Sequence, residues 1–233
     1  FPHASNIVAE INPVAEIAAK AHASGAVTVT DGVSYAPHGL PDVTALGTDV
    51  YLFSSYKTYG PHQGVMVMRR ALADRLVSQG HDFNAGSRTK RFTPAGPDHA
   101  QIAALGAMVD YFDAVSARHG DMSAHDVMRM LEIARSQPLL DWLDGRNDVR
   151  LIGPREAESR APTFALLHER AGEDLAGDMA RHGIMCGGGD FYSPRVLKAM
   201  GIDPAHGVLR VSMTHYTSPE EVDRLIAALD RVL

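Results

Sequence analysis

Asp31 and Lys57 are the side chains best placed by type and spacing to do chemistry in this 233-residue chain. Asp31 ends the β-branched run Ala26-Val27-Thr28-Val29-Thr30 and precedes Gly32. Lys57 follows the apolar run Val50-Tyr51-Leu52-Phe53 after Ser54, Ser55 and Tyr56. Asn6 lies ahead of both. In α/β sheets, ligands bind at the carboxyl ends of strands. A lysine and a carboxylate delivered to one such edge suit a pyridoxal phosphate site. There the lysine forms a Schiff base, and the carboxylate keeps the pyridine nitrogen protonated so that the ring can accept carbanion charge. The hydroxyls of Ser54, Ser55 and Tyr56 could hold a phosphate by hydrogen bonds. The residues alone leave a plainer reading open, because a loop lysine is commonly solvated and an Asp before Gly is a common turn residue.

The elements that must position these residues alternate between helical and strand-like patterns. Residues 13–23 place Val14, Ile17, Ala18 and Ala21 on one helical face, and Gly25 stops that helix. Residues 26–30 read as a buried strand, and residues 50–53 and 64–68 as two more. This order argues for a mostly parallel, helix-covered sheet of the α/β class. Met66 and Met68 read as packing residues of the third strand. Residues 78–98 are polar and rich in Gly and Pro, a long loop of the kind that often carries function. A helical pattern runs over 98–119. Beyond it come a helix (124–137), strands (149–152 and 163–167), a helix (174–181), a strand (208–213) and a helix (219–232), a small α+β domain. Ser218-Pro219-Glu220-Glu221 starts the last helix well, with Ser as cap and Pro at the first helical position. The boundary is placed near residue 115, giving domains 1–115 and 116–233.

Composition excludes several classes. Net charge is −6 with His neutral, and no Lys/Arg block interrupts it, so neither nucleic acid nor membrane is expected as a partner. No apolar run approaches the length of a membrane span. The single cysteine, Cys186, leaves no internal disulfide and no Cys-rich zinc site, which suits a cytoplasmic location. The 12 histidines are scattered without metal-ligand spacing, so no metal site is expected. Gly187-Gly188-Gly189 reads as flexible, a mobile active-site loop rather than a phosphate cradle.

The segment from His3 to Arg70 resembles the lysine region of the class V aminotransferase family of pyridoxal-phosphate enzymes, in its cysteine desulfurase and selenocysteine lyase-like branch. The matching pieces are His3-Ala4-Ser5-Asn6, Thr30-Asp31-Gly32, Asp49-Val50-Tyr51-Leu52-Phe53-Ser54 and Lys57-Thr58-Tyr59-Gly60-Pro61. Gly207–Leu233 resembles the family's final strand and helix. The resemblance implies fold type I: the C-terminal part of a large, mostly parallel-sheet domain, then a small α+β domain. It implies that Lys57 carries pyridoxal 5'-phosphate as a Schiff base and later moves the α-proton. Asp31 would pair with the pyridine nitrogen, Asn6 and Ser34 would face the phenolic oxygen, and Ser54 and Tyr56 would bind phosphate. Arg210 would grip the carboxylate of a small amino-acid substrate, as a planar guanidinium does best. A homodimer is implied as well.

The departures matter equally. The cysteine on which desulfurases carry sulfur falls near Tyr192 here, while Cys186 reads as a small buried hydrophobe beside a strand. Ala95-Gly96-Pro97-Asp98-His99 stands where the family often has Gly-Thr-Pro, so a phosphate contact from Gly96 would use its backbone N–H. Family members also carry a substantial N-terminal part of the cofactor domain. The resemblance therefore implies the C-terminal portion of a longer chain, one that binds the cofactor poorly alone. The expected activity is that of a desulfurase-like lyase or aminotransferase without a persulfide cysteine. The alternatives are a metal-dependent hydrolase or an inactive binding domain of the same fold.

Overall fold

The computed structural model describes residues 1–93, 96–120 and 122–233. The chain divides into two compact units, one of residues 1–3 and 13–121, the other of residues 4–12 and 122–233. The second unit thus takes a short stretch from near the start of the chain, and its main part begins at 122.

In the first unit, α1 (Val14–Ala23) buries Val14 and Ala18 and is followed by a left-handed Gly25. Then come β1 (Val29–Asp31), α2 (Val43–Leu46), β2 (Val50–Ser54), β3 (Gly64–Met68), α3 (Arg70–Arg75) and α4 (His99–Ala117). The sheet order is β1-β2-β3. β1 and β2 are parallel, with Asp31 opposite Leu52, and β2 and β3 are antiparallel. Residues 1–3 run beside β1: the Asp31 N–H donates to the Phe1 carbonyl and the His3 N–H to the Asp31 carbonyl. β1 is shorter than the run that announces it. Thr28 and Thr30 are buried, while Val27 (49% exposed) and Val29 (45%) stand open. Side chains alternate across a strand, so the open face of Val29 is also the face of Asp31. Met66 is likewise exposed, and the core instead gathers Ala36, Tyr51, Phe53 and Met108.

Asp49 pins the approach to β2. Its carboxylate accepts from the Thr28 N–H (2.8 Å), the Thr28 hydroxyl (3.0 Å) and His22 (2.8 Å). Burial alone would raise its pKa, but the hydrogen bonds from Thr28 and His22 outweigh it and bring the value from 3.8 to about 2. A depressed carboxylate contributes stability that is present above its unfolded pKa and is lost as pH falls through its folded one. Unfolding should therefore show a loss of about 2 kcal/mol between pH 4 and pH 2 that Asp49→Asn lacks. Denaturant titrations of both proteins across that window check it.

The second unit contains α5 (Ala124–Asp144), β4 (Arg150–Ile152), β5 (Thr163–Leu167), α6 (Gly172–Arg181), β6 (Gly187–Gly189), α7 (Pro194–Ala199), β7 (Val208–Ser212) and α8 (Pro219–Val232). Its sheet is antiparallel in the order β4-β5-β7-β6. Leu139, Leu143, Phe164, Leu175, Met179, Leu209 and Leu229 form one core cluster, and Ile7, Ile152, Ala165, Leu197 and Val208 another. The sequence pattern ends the first of these helices at 137, before Pro138, yet α5 continues to Asp144. Proline costs roughly 3 kcal/mol in a helix interior, and burying three leucines, each worth about 1.5–3 kcal/mol, exceeds that. Those leucines are Leu139, Leu140 and Leu143. α8 starts on a full capping box between Ser218 and Glu221.

The three consecutive glycines are not a loop. They form β6, the edge strand paired with β7. A Cβ on Gly188 would lie 2.1 Å from the Gly172 carbonyl oxygen, and one on Gly172 would lie 2.3 Å from the Val208 carbonyl oxygen. Glycine is needed here for close backbone packing of α6 onto the sheet, not for mobility.

Candidate active site

In the first unit, parallel pairing brings Asp31 and the end of β2 to the same carboxyl edge. Past Asp31 the chain turns sharply: the Val33 N–H donates to the Asp31 Oδ1 (2.9 Å), and the Tyr35 and Ala36 N–H groups both donate to the Gly32 carbonyl. Asp31 is exposed, and Ser34 lies half-buried within the turn. Past β2, Ser55–Lys57 make one 3₁₀ turn that delivers Lys57 to the surface. Ser55 is buried, and its hydroxyl donates to the Gln63 carbonyl (3.0 Å). It therefore braces the turn instead of offering itself to a phosphate. Ser54 and Tyr56 keep accessible surface, Tyr56 being exposed with its ring stacked on His62 (centroids 4.5 Å apart).

Under this edge lies a buried aromatic group that sequence inspection passed over. The Tyr51 ring fills the place that a Cβ on Gly32 would occupy. Its hydroxyl shares a 2.9 Å hydrogen bond with the His3 Nδ1, and the His3 ring stacks on Tyr35 (3.6 Å). Burial, followed by the nearby Tyr35 and Asp31, pushes the Tyr51 phenol far above its ordinary pKa. It stays protonated and holds the backbone beside Asp31. The sequence signal for it was a tyrosine at a strand position whose parallel neighbour, Thr30, stands two residues before a glycine.

In the second unit, Asn6 and Arg210 are brought together. Arg210 Nη1 donates to the Asn6 carbonyl (2.8 Å), and Asn6 Nδ2 donates to the Phe191 carbonyl (2.8 Å). The Ser193 hydroxyl donates to Asn6 Oδ1 (3.0 Å). Phe191 lays its ring on the Arg210 guanidinium, 3.9 Å from carbon to centroid. Burial draws the Arg210 pKa down from its ordinary value, from which it remains a cation at neutral pH. Tyr192 is fully exposed. Cys186 packs at the edge of the core, and burial pushes its thiol pKa up, away from the thiolate a nucleophile needs. Ala95, at the head of the stretch that replaces Gly-Thr-Pro, lies outside the described residues. Among the described residues, no three His, Cys, Asp or Glu side chains gather as a metal set. No helix among them is long and apolar enough to cross a membrane.

Comparison with known proteins gives a consistent set of likenesses. The family model described as "Aminotransferase class-V" matches residues 1–225. An aminotransferase-like protein of Gibberella zeae is 32% identical over 99% of this chain and 58% of its own length. A probable cysteine desulfurase of Pseudomonas putida is 30% identical over 98% of this chain and 57% of its own. Among solved structures, the apo cysteine desulfurase of Thermococcus onnurineus superposes with a TM-score of 0.84 at 24% identity, covering 99% of this chain and 58% of that one. The fold is thus the type I fold of these enzymes. The chain spans a little under three-fifths of the length of the curated relatives it matches.

Proposed function

From the premise that this chain belongs to the class-V aminotransferase family, we propose that it is the part of a pyridoxal-phosphate enzyme that holds the reactive lysine and the substrate carboxylate receptor. The observation that carries the reading is the edge of the β1–β2 pair, where an exposed carboxylate ends β1 and an exposed lysine follows β2 after one 3₁₀ turn. The donor set fits the cofactor. Asp31 offers an acceptor for a pyridine N–H, Ser54 and Tyr56 offer hydroxyls for a phosphate, and Lys57 offers the amine. When bound, the cofactor supplies an electron sink for the charge left on the substrate's α-carbon.

The remaining roles fall to the protein. Lys57 would hold the cofactor through its amine and, once free, would take the substrate's α-proton at Nζ as a general base. Asp31, whose carboxylate accepts from the Val33 N–H, would face the pyridine nitrogen and favour its protonated form. Ser34 and the second amide hydrogen of Asn6 are assigned to the cofactor's phenolic oxygen. Arg210 binds and orients the carboxylate of a small amino acid. A desulfurase-like lyase or an aminotransferase follows, and the position of Tyr192 with the inert Cys186 favours a route without a persulfide. A homodimer in the cytoplasm is part of the same reading.

The test is an absorption spectrum of the intact protein between about 300 and 500 nm, before and after borohydride, with a peptide map of the reduced sample. A visible band whose reduction leaves a pyridoxyl group on Lys57 is the expected outcome. A colourless protein that stays so with added cofactor, or a label on another lysine, would remove the assignment.

A further inference from the structure

We propose that Phe191 is the positioning residue of the carboxylate receptor: its ring fixes the plane in which the Arg210 guanidinium meets a substrate. This rests on the reading of Arg210 as that receptor. Arg210 and Gly187 face each other across the β6–β7 ladder. A Cβ on Gly187 would come within 2.9 Å of the Phe191 ring, so glycine opposite the arginine makes the space in which the ring lies. The ring covers one face of the guanidinium at stacking distance, 3.9 Å. A guanidinium binds a carboxylate through N–H groups in its own plane. A ring on its face therefore leaves the binding edge open while restricting rotation of the group out of that plane.

The backbone supports the same reading. Phe191 (φ 51°) and Tyr192 (φ 61°) are consecutive non-glycine residues in the left-handed region, which side chains rarely enter. Such a conformation persists only where surrounding contacts over-determine it. Here the Asn6 amide donates to the Phe191 carbonyl, the Tyr192 N–H donates to Asp190 Oδ1 (3.0 Å), and the Ser193 N–H donates to the Asp190 carbonyl (2.9 Å). The contacts close on themselves. Arg210 donates to the Asn6 main chain, the Asn6 side chain holds the Phe191 main chain, and the Phe191 ring lies on Arg210. The guanidinium is thus oriented before any substrate arrives, and less ordering is left to binding.

Phe191→Leu fills much of the same space without a π face, and Phe191→Tyr keeps the face. In the intact holoenzyme, titration calorimetry with propionate as the carboxylate probe reads the receptor directly. Phe191→Leu should weaken propionate about tenfold and Phe191→Tyr by less than about twofold, with melting temperatures close to the parent. With an amino-acid substrate, the Leu variant should raise KM by a similar factor and leave kcat within about twofold, as lost uniform binding does. Parent-like propionate binding by the Leu variant, or equal weakening by Leu and Tyr, overturns the proposal. Should the Leu variant melt early, Phe191→Met, which adapts its shape, is read by the same criteria. Arg210→Lys separates the two levels. If it weakens propionate while Leu does not, the role of Phe191 alone falls. If it changes nothing, or the parent binds no propionate, the reading of Arg210 falls and takes this proposal with it.

Discussion

Lys57→Ala in the intact holoenzyme should lower turnover by about 10⁴-fold or more, the upper range for a positioned general base, with loss of covalent cofactor attachment added. The fold should survive, because Lys57 is exposed at the end of a turn that Ser55 and Thr58 hold. The Thr58 hydroxyl donates to the Ser54 carbonyl, and the Thr58 and Gly60 N–H groups donate to the Ser55 carbonyl, none of which needs the lysine. Single-turnover kinetics with an added small primary amine sharpen the test. An amine that takes over the proton transfer should restore part of the rate in the Ala variant and leave the parent unchanged. A variant that retains even a tenth of the parent rate would exclude Lys57 as the base.

Gly188→Ala should be among the most damaging small substitutions in the second unit, costing about 3 kcal/mol or more, the top of the range for overpacking. The added carbon would meet the Gly172 carbonyl oxygen and carbon (2.1 and 2.2 Å) and the Glu173 N (2.4 Å). All three are backbone atoms at the start of α6, so no side-chain rotation can relieve the clash. Gly177→Ala lies on the same helix with nothing within 4 Å of its Cβ position and serves as the control. It should be neutral to stabilising, since alanine favours a helix interior over glycine. Denaturant unfolding of the two variants side by side reads the difference. Similar stability for both would mean that α6 lifts off the sheet without cost.

These two positions show how differently residues can be read from sequence. The placement of Asp31 at the end of β1 and of Lys57 just past β2 was legible because each follows a strand-forming run. Strand ends are set by local pattern, and local pattern lies in the sequence. The role of Gly188 was not legible. Glycine's commonest use is conformational freedom, whereas here it permits contact with Gly172, a residue on another element. Phe191 carries no such local signal. Its partner Arg210 lies on β7, and the register that puts Gly187 opposite that arginine is decided by tertiary packing. The same holds for α5 beyond Pro138, where buried leucines override a local stop signal. The departure at Cys186 was legible in type, and burial, which raises its thiol pKa, points the same way.

The short stretch 4–12 carries a consequence for synthesis. Ile7 has no exposed surface and packs with Ile152, Ala165, Leu197, Ile202 and Val208, all far later in the chain. Asn6 meets Arg210 across 204 positions and Phe191 across 185. At translation rates of about 5–20 residues per second, this stretch waits on the order of ten seconds or more before its partners emerge. In that interval the nascent chain shows a bare isoleucine, and Arg210 does not yet exist. A strand translated some 204 positions later thus clasps this stretch, and a ribosome that stalls before β7 leaves behind a product in which Ile7 lacks Val208 and Asn6 lacks Arg210.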